Sequence, residues 1–272
     1  MGSLLAAIAS YCQAKSQHGE WLIRIEDVDQ TRTVDGAEQS IINTLARFGM
    51  HSDGPIIRQS DEARQHAYRQ ALDQLKDRDL IYPCTCTRKQ LKGLTRYPGT
   101  CRVHPVDQQQ AHALRLKTND QPQSFTDLIQ GEQLQHPAKQ CGDFVLRRKD
   151  GLFAYQLAVV VDDADQGITQ VVRGIDIMDS TGRQMYLQQL LSSPAVTYAH
   201  IPVLLDSSGR KLSKQNHAKS ITLEDPYQTT QHALRLLQQP LPELTQKSQS
   251  ALLKFASEHW QADRLCGLTE VI

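Results

Sequence analysis

The chain has 272 residues, with 30 Lys and Arg against 30 Asp and Glu, 39% hydrophobic and 22% charged side chains. That is enough to bury a core in one large or two smaller domains, and the zero net charge excludes a uniformly basic nucleic-acid binder while leaving room for a local basic face. Arg, Lys, Asp or Gln interrupts every apolar run before it reaches membrane-spanning length, so no membrane partner is expected and the cytoplasm is the default location.

The opening residues lack the basic leader of a secretion signal. They run on through Ser10-Tyr11-Cys12-Gln13-Ala14-Lys15, which predicts a core helix over 4–14. Residues 21–25 read as a short buried strand ending in the acidic group Glu26-Asp27-Val28-Asp29. A helix over 33–48 follows, with Ala37, Ile41, Ile42 and Leu45 at helical spacing and Gly49 closing it. A second strand at 55–58 and a long helix over 60–78 complete an alternation that points to an α/β fold with a parallel sheet. From 82 to about 133 Cys, Thr, Pro and Gln displace the periodic apolar residues, the mark of an inserted module. Regular structure resumes at 143–147 and at 154–161, an almost continuous apolar run that suits either a buried strand or a buried helix. A helix over 181–191 precedes the apolar segment 200–205 and a turn at 206–209. The tail from 223, with Ala233, Leu234, Leu236 and Leu237 at helical spacing, predicts a small helical appendage.

Four constellations carry chemistry. Glu26 and Asp27 fall at the carboxyl end of a strand, where ligands gather in open α/β sheets, and a carboxylate there could hold a substrate ammonium; Asp27 or Asp29 could equally serve the dipole of the next helix. Cys84, Cys86 and Cys101 cluster while Cys12, Cys141 and Cys266 stand alone, so the three thiolates suit one tetrahedral zinc. Tyr97 or His104 would be the fourth ligand, His104 being the better one on generic chemistry, and three free thiols are the alternative. Tyr155, the pair Asp162-Asp163 and Arg173 flank a very apolar element, with Arg173 able to fork onto a carboxylate; singly, each also reads as a core phenol or a surface ion pair. Lys211 and Lys214 bracket Leu212-Ser213 in a loop after the 200–205 segment, and such clustered ammonium groups suit the charge that builds on a triphosphate during nucleotidyl transfer.

Taken in order, Arg24-Ile25-Glu26-Asp27-Val28-Asp29-Gln30-Thr31-Arg32, residues 158–163, Arg173-Gly174-Ile175-Asp176, Asp179-Ser180-Thr181-Gly182-Arg183-Gln184 and Lys211-Leu212-Ser213-Lys214 resemble the glutamyl-tRNA synthetase family of class I aminoacyl-tRNA synthetases, over nearly the whole chain. The Cys-Thr-Cys-Thr-Arg segment at 84–88 with Tyr97 and Cys101, the Lys-Leu-Ser-Lys-Gln-Asn-His run and the short remainder after it are similar to that family's short branch, which moves glutamate to the queuosine base in the anticodon of tRNA(Asp). The resemblance implies a Rossmann-type domain that forms glutamyl-adenylate from glutamate and ATP with magnesium, and then engages the tRNA(Asp) anticodon stem-loop. It implies that Glu26 binds the amino group of glutamate, Tyr155 and Arg173 its carboxylates, and Lys214 the ATP, with Lys211 beside it in the catalytic loop. It also implies one structural zinc on Cys84, Cys86, Tyr97 and Cys101, which displaces His104 from the ligand set. The expected organisation is 1–81 and 136–199 as the two halves of the catalytic domain, 82–135 as the zinc-binding insertion, and 200–272 as the lysine loop with a helical stem-contact-like region; a monomer is expected.

The family opens with a strand, a Pro-Ser-Pro-Ser-Gly loop, an arginine that reads the glutamate side chain and an ATP-facing histidine. Met1-Gly2-Ser3-Leu4 aligns just after these, so an N-terminally truncated domain without its first strand is expected. Two readings stand beside the enzyme: an inactive RNA-binding relic, and a fragment of a glutamyl-tRNA synthetase.

Overall fold

The computed structural model describes residues 1–29, 34–107, 109–206, 209–210, 225–243 and 248–272. Helix α1 (Gly2–Ser16) turns Leu4, Leu5, Ile8, Ala9 and Cys12 inward at helical spacing. It stops where His18 takes a left-handed φ of 55° and the Gly19 N–H bonds the Ala14 carbonyl, a cap that satisfies a terminal acceptor. Strand β1 is only Arg24–Ile25, shorter than the apolar run suggests. Helix α2 (Ala37–Arg47) begins later than its periodicity predicts, behind Gly36 at a φ of 73°. Strand β2 (Ile57–Arg58) pairs parallel with β1, Arg24 opposite Ile57, and helix α3 (Glu62–Asp77) follows.

The region beyond α3 holds more regular structure than its composition suggests. Strand β3 (Ile81–Cys84) pairs antiparallel with β4 (Ala113–Leu116), and the one-turn helix α4 (Thr100–Val103) lies between them in sequence. Strands β5 (Gln123–Asp127) and β6 (Gly131–Gln135) form an antiparallel hairpin. After the short helix α5 (Pro137–Gln140), strand β7 (Val145–Arg147) completes a three-stranded sheet in the order β3-β4-β7.

The ambiguous apolar run becomes helix α6 (Tyr155–Asp165). Its residues Leu157 to Asp163 are all buried, which is why no amphipathic period marks it as a helix. Strand β8 (Gln170–Gly174) leads through a 3-10 segment (Ile175–Ser180) into helix α7 (Thr181–Leu191), whose bounds match the sequence reading. Strand β9 (Thr197–Ile201) pairs parallel with β8, Arg173 opposite His200. Pro202, which has no N–H to donate, separates β9 from β10 (Val203–Leu204).

The tail forms helices α8 (Pro226–Leu236) and α9 (Gln249–Glu258), capped by the Asp225 and Ser248 side chains, and strand β11 (Glu270–Val271), parallel to β10. These helices share a core with α1: Leu5, Ile8, Leu234, Leu237, Leu252 and Ile201 are all at most 2% exposed. Each such aliphatic side chain contributes roughly 1.5–3 kcal/mol by leaving water. A second core joins α3, β4, α6 and α7 through Tyr68, Leu75, Leu116, Leu146, Leu157 and Leu187. Among the three parallel pairs, β1-β2, β8-β9 and β10-β11, the first two present the candidate site residues at or beyond the carboxyl ends of β1 and β8. No helix among the described residues is long and apolar enough to cross a membrane.

Candidate functional site

The acidic group after β1 divides by role. The Asp27 carboxylate accepts the Ser60 backbone N–H at 2.9 Å and the Ser60 hydroxyl at 2.5 Å, and Asp29 accepts from Arg148 at 2.6 Å. Both tie loops together. Glu26 instead keeps 43% of its side chain exposed, with the Arg24 guanidinium 3.5 Å away. Burial of its carboxyl pushes its pKa above the ordinary range; Arg24 opposes that shift, and the neighbouring Asp163 and Asp162 reinforce it. A carboxyl in surplus negative potential that still reaches solvent is suited to receive an ammonium group.

Behind it lies a dense ion cluster. Arg24 donates to Asp163 at 2.8 Å and to the Gln166 amide oxygen at 2.8 Å. Asp162 is fully buried and accepts from Gln59 Nε2, Arg64 Nε and Tyr68 Oη, each at 2.8 Å. Burial also pushes the Asp163 carboxyl upward, against the pull of Arg24. Glu26 lies on the rim of two clefts. One, of about 690 Å³, runs between residues 21–29 and α2; the other, of about 410 Å³, runs between residues 19–26 and 166–172 over α1.

Arg173 on β8 is a buried residue, not a surface ion-pair partner. Its Nε donates to His200 Nε2 at 3.0 Å, Nη1 to the Gln184 amide oxygen at 2.7 Å, and Nη2 to Thr181 Oγ1 at 2.8 Å. Tyr155 opens α6 beside it. Burial raises the Tyr155 pKa, Glu26 raises it further, and Arg173 opposes both. The phenol therefore stands in the fields of both groups. Lys211 and Lys214 lie outside the described residues, as do Gln30, Thr31 and Arg32.

At the other end of β3 the sulfur atoms of Cys84, Cys86 and Cys101 lie within 4.8 Å of one another. The Tyr97 hydroxyl is 3.4 Å from Cys84 Sγ and 3.7 Å from Cys86 Sγ, and it accepts the Cys101 N–H at 3.0 Å, whereas His104 is exposed. Arg115 donates to Cys84 Sγ at 3.2 Å and stacks its guanidinium 3.8 Å from the centre of the Tyr97 ring. Burial pushes Cys86 up to about 11. Burial also opposes ionisation of Cys101, but the Thr85 N–H, the Tyr97 hydroxyl and the two other thiols outweigh it and bring Cys101 to about 7. Three converging sulfurs and a phenol form a donor set that can hold a divalent metal ion, with the Arg115 guanidinium compensating charge beside it.

Sequence reasoning missed roles for Arg24, Gln59 and Arg64, which clamp the acidic pair on α6, for Thr181, Gln184 and His200, which accept from Arg173, and for Asp127, which holds His200. The signal for His200 was present: a lone histidine within the apolar 197–205 segment demands a buried polar partner.

The family model for tRNA synthetases class I (E and Q), catalytic domain, matches residues 1–239. A glutamyl-Q tRNA(Asp) synthetase of Dechloromonas aromatica (strain RCB) is 47% identical over 96% of this chain and 90% of its own length. One from Pseudomonas aeruginosa is 46% identical over 97% and 90%, and one from Vibrio cholerae 43% over 99% and 89%. The crystal structure of a glutamate-tRNA synthetase from Elizabethkingia anophelis superposes with a TM-score of 0.81 at 20% identity; it covers all of this chain, which spans 65% of that longer protein, and it carries the fold alone. With the class I catalytic-domain model matched over residues 1–239 and relatives near half identical along about nine tenths of their length, the chain belongs to the glutamyl-Q tRNA(Asp) synthetase family of class I tRNA synthetases.

Proposed function

We propose that this chain activates glutamate with ATP as glutamyl-adenylate and transfers the glutamyl group to the queuosine base in the anticodon stem-loop of tRNA(Asp). The supporting observation is that the Tyr155 phenol stands in the fields of both Glu26 and Arg173. In this reading Glu26 accepts the substrate ammonium, while Tyr155 and two uncommitted Arg173 N–H bonds donate to its carboxylates. A glutamate carboxylate oxygen attacks the α-phosphorus of ATP and pyrophosphate leaves; the acceptor group on the queuosine base then attacks the acyl carbon and AMP leaves. Lys214, with Lys211, holds the phosphates through this charge build-up, and magnesium accompanies the nucleotide. The protein acts as a monomer in the cytoplasm, where its tRNA resides.

The same reading extends to the fold. The pairs β1-β2 and β8-β9 are halves of one Rossmann sheet, divided by an open strand position; in support, β1 and β8 each pair on a single side among the described residues, and the cleft of about 410 Å³ runs between them. Residues 82–135 are an insertion carrying one structural zinc on Cys84, Cys86, Tyr97 and Cys101, residues 1–81 and 136–199 flank it as catalytic halves, and 200–272 add the lysine loop and a helical stem-contact region. When bound, zinc would cross-link β3 to the 97–101 turn. The chain's own Arg115 would balance the thiolate charge from outside the ligand set.

The deciding experiment has two arms. Glutamate-dependent exchange of pyrophosphate into ATP tests activation, and transfer of labelled glutamate to tRNA(Asp) with and without queuosine tests the acceptor. Exchange, and label only on the queuosine-containing tRNA, are expected. Labelling of tRNA(Glu) in its place would overturn the acceptor, and glutamate-independent exchange would overturn the activation step.

A further inference from the structure

The hairpin β5–β6 does not stand off the body. Asp127, at the end of β5, is 2% exposed and His200, on β9, is completely buried. Asp127 Oδ2 meets His200 Nδ1 at 2.5 Å, while Oδ1 accepts backbone N–H groups of Ile129, Gln130 and His200 at 2.9–3.1 Å. The other ring nitrogen, Nε2, is the atom to which Arg173 Nε points at 3.0 Å. An arginine Nε can only donate, so His200 Nε2 must accept, and the ring's single proton sits on Nδ1 facing the Asp127 carboxylate. The chemistry of Arg173 thus dictates the tautomer, and Asp127 anchors it.

From these contacts we infer that Asp127 and His200 are positioning residues for the amino-acid site: a buried Asp–His pair that fixes the plane of the Arg173 guanidinium and so aims its carboxylate fork. The inference rests on the reading of Arg173 as a glutamate ligand given above. A guanidinium has five N–H bonds, and among the described residues three of Arg173's are committed, to His200, Gln184 and Thr181. Two remain for a ligand. Gln184 is only 2% exposed and spends its amide oxygen on Arg173, while its buried Nε2 has the Tyr155 hydroxyl within reach but no well-formed hydrogen bond. Two open guanidinium donors, beside an amide donor and a phenol, suit an anionic oxygen acceptor, the shape and charge of a substrate carboxylate. The far end of the hairpin fixes the same wall, because the Gln135 amide oxygen accepts the Gly182 N–H at 2.8 Å and its nitrogen donates to the Met178 carbonyl at 3.0 Å. Residues predicted to belong to an insertion therefore set the geometry of the catalytic pocket.

The test compares two amides at position 200. The His200→Gln side chain can place an oxygen where Nε2 stood and keep the Arg173 acceptor; His200→Asn places its amide near Nδ1, keeps the Asp127 contact and loses Arg173. Glutamate and ATP binding are measured by calorimetry on the full chain, with Arg173→Ala as reference. His200→Asn should weaken glutamate by at least about tenfold, as the loss of a charge-assisted hydrogen bond does, with ATP affinity unchanged, and His200→Gln, which keeps the Arg173 acceptor but gives up the Asp127 anchor, should lose measurably less. Equal losses in both amides, or a parallel loss of ATP binding, would reduce the pair to a folding role and overturn the inference. If Arg173→Ala leaves glutamate affinity intact, it is the ligand reading of Arg173 that fails, and the inference with it. The unmutated chain supplies an independent readout. A long-range ¹H–¹⁵N spectrum should show His200 as the Nδ1–H tautomer, and an Nε2–H signal would overturn the relay whatever the variants do.

Discussion

Replacing Asp162 with alanine should be among the most damaging single changes on the α6 face. The carboxylate is wholly buried and receives Arg64 Nε, Gln59 Nε2 and Tyr68 Oη at 2.8 Å, with Arg24 Nε at 3.6 Å. Removing it strands donors that water cannot reach. Breaking a buried ion pair from one side costs about 3–5 kcal/mol, because the remaining charge stays buried. The orphaned amide and hydroxyl push toward the upper end. Arg64 and Arg24 pull the other way, since they retain Asp165 and Asp163 at 2.8 Å. At roughly 2.1 cal/mol/K of unfolding entropy per residue, a loss of about 3–5 kcal/mol lowers Tm by about 5–9 °C in a chain of this length. Asp162→Asn, which keeps the shape and one acceptor oxygen, should cost about half as much. Urea unfolding followed by circular dichroism gives the midpoint shift, and an unchanged m-value confirms that the denatured state is not the cause. A loss below about 1 kcal/mol for the alanine variant would refute the claim that this cluster locks α3 and β1 to α6.

Three further outcomes can be checked directly. Elemental analysis of protein purified without chelator should find about one equivalent of zinc, lost on Cys84→Ser, Cys86→Ser or Cys101→Ser; a metal-free parent would leave the three thiols as reduced cysteines. Gly182→Ala would bring a Cβ to 2.7 Å from the Gln135 amide oxygen and 2.8 Å from its Cβ, so it should destabilise the fold by about 1–3 kcal/mol in thermal unfolding. Glu26 has a pKa raised above its ordinary 4.5, chiefly by burial. An ammonium ligand needs it ionised, so glutamate affinity should be full above that raised value and fall as the pH drops through it. Folding stability runs the opposite way, greatest below the ordinary value and lost as the pH rises through the raised one. Glu26→Gln should flatten the affinity profile in calorimetry and lessen the slope of the unfolding profile, to which the likewise raised Asp163 also contributes; persistence of the affinity profile in that variant would assign it to the substrate's own carboxyl.

The sequence by itself determined the alternation of strands and helices, because burial on one face imposes a period that survives in the residue order. It also exposed Glu26, Tyr155, Arg173 and the three clustered cysteines, whose residue types are costly to keep without a partner. Their family came from motif order along the chain. Composition failed where local pattern carries no period: the 154–161 run is helical because it is buried on every side, and the region after 82 hides a hairpin that docks on β9. The tail likewise proved to share its core with α1. What only the tertiary structure decided is partnership. Asp127 and His200 are 73 positions apart, and Arg24 and Asp163 are farther still; such pairs leave no mark on local periodicity, since the electrostatic and hydrogen-bond energy that joins them depends on distance in space and not on distance along the chain.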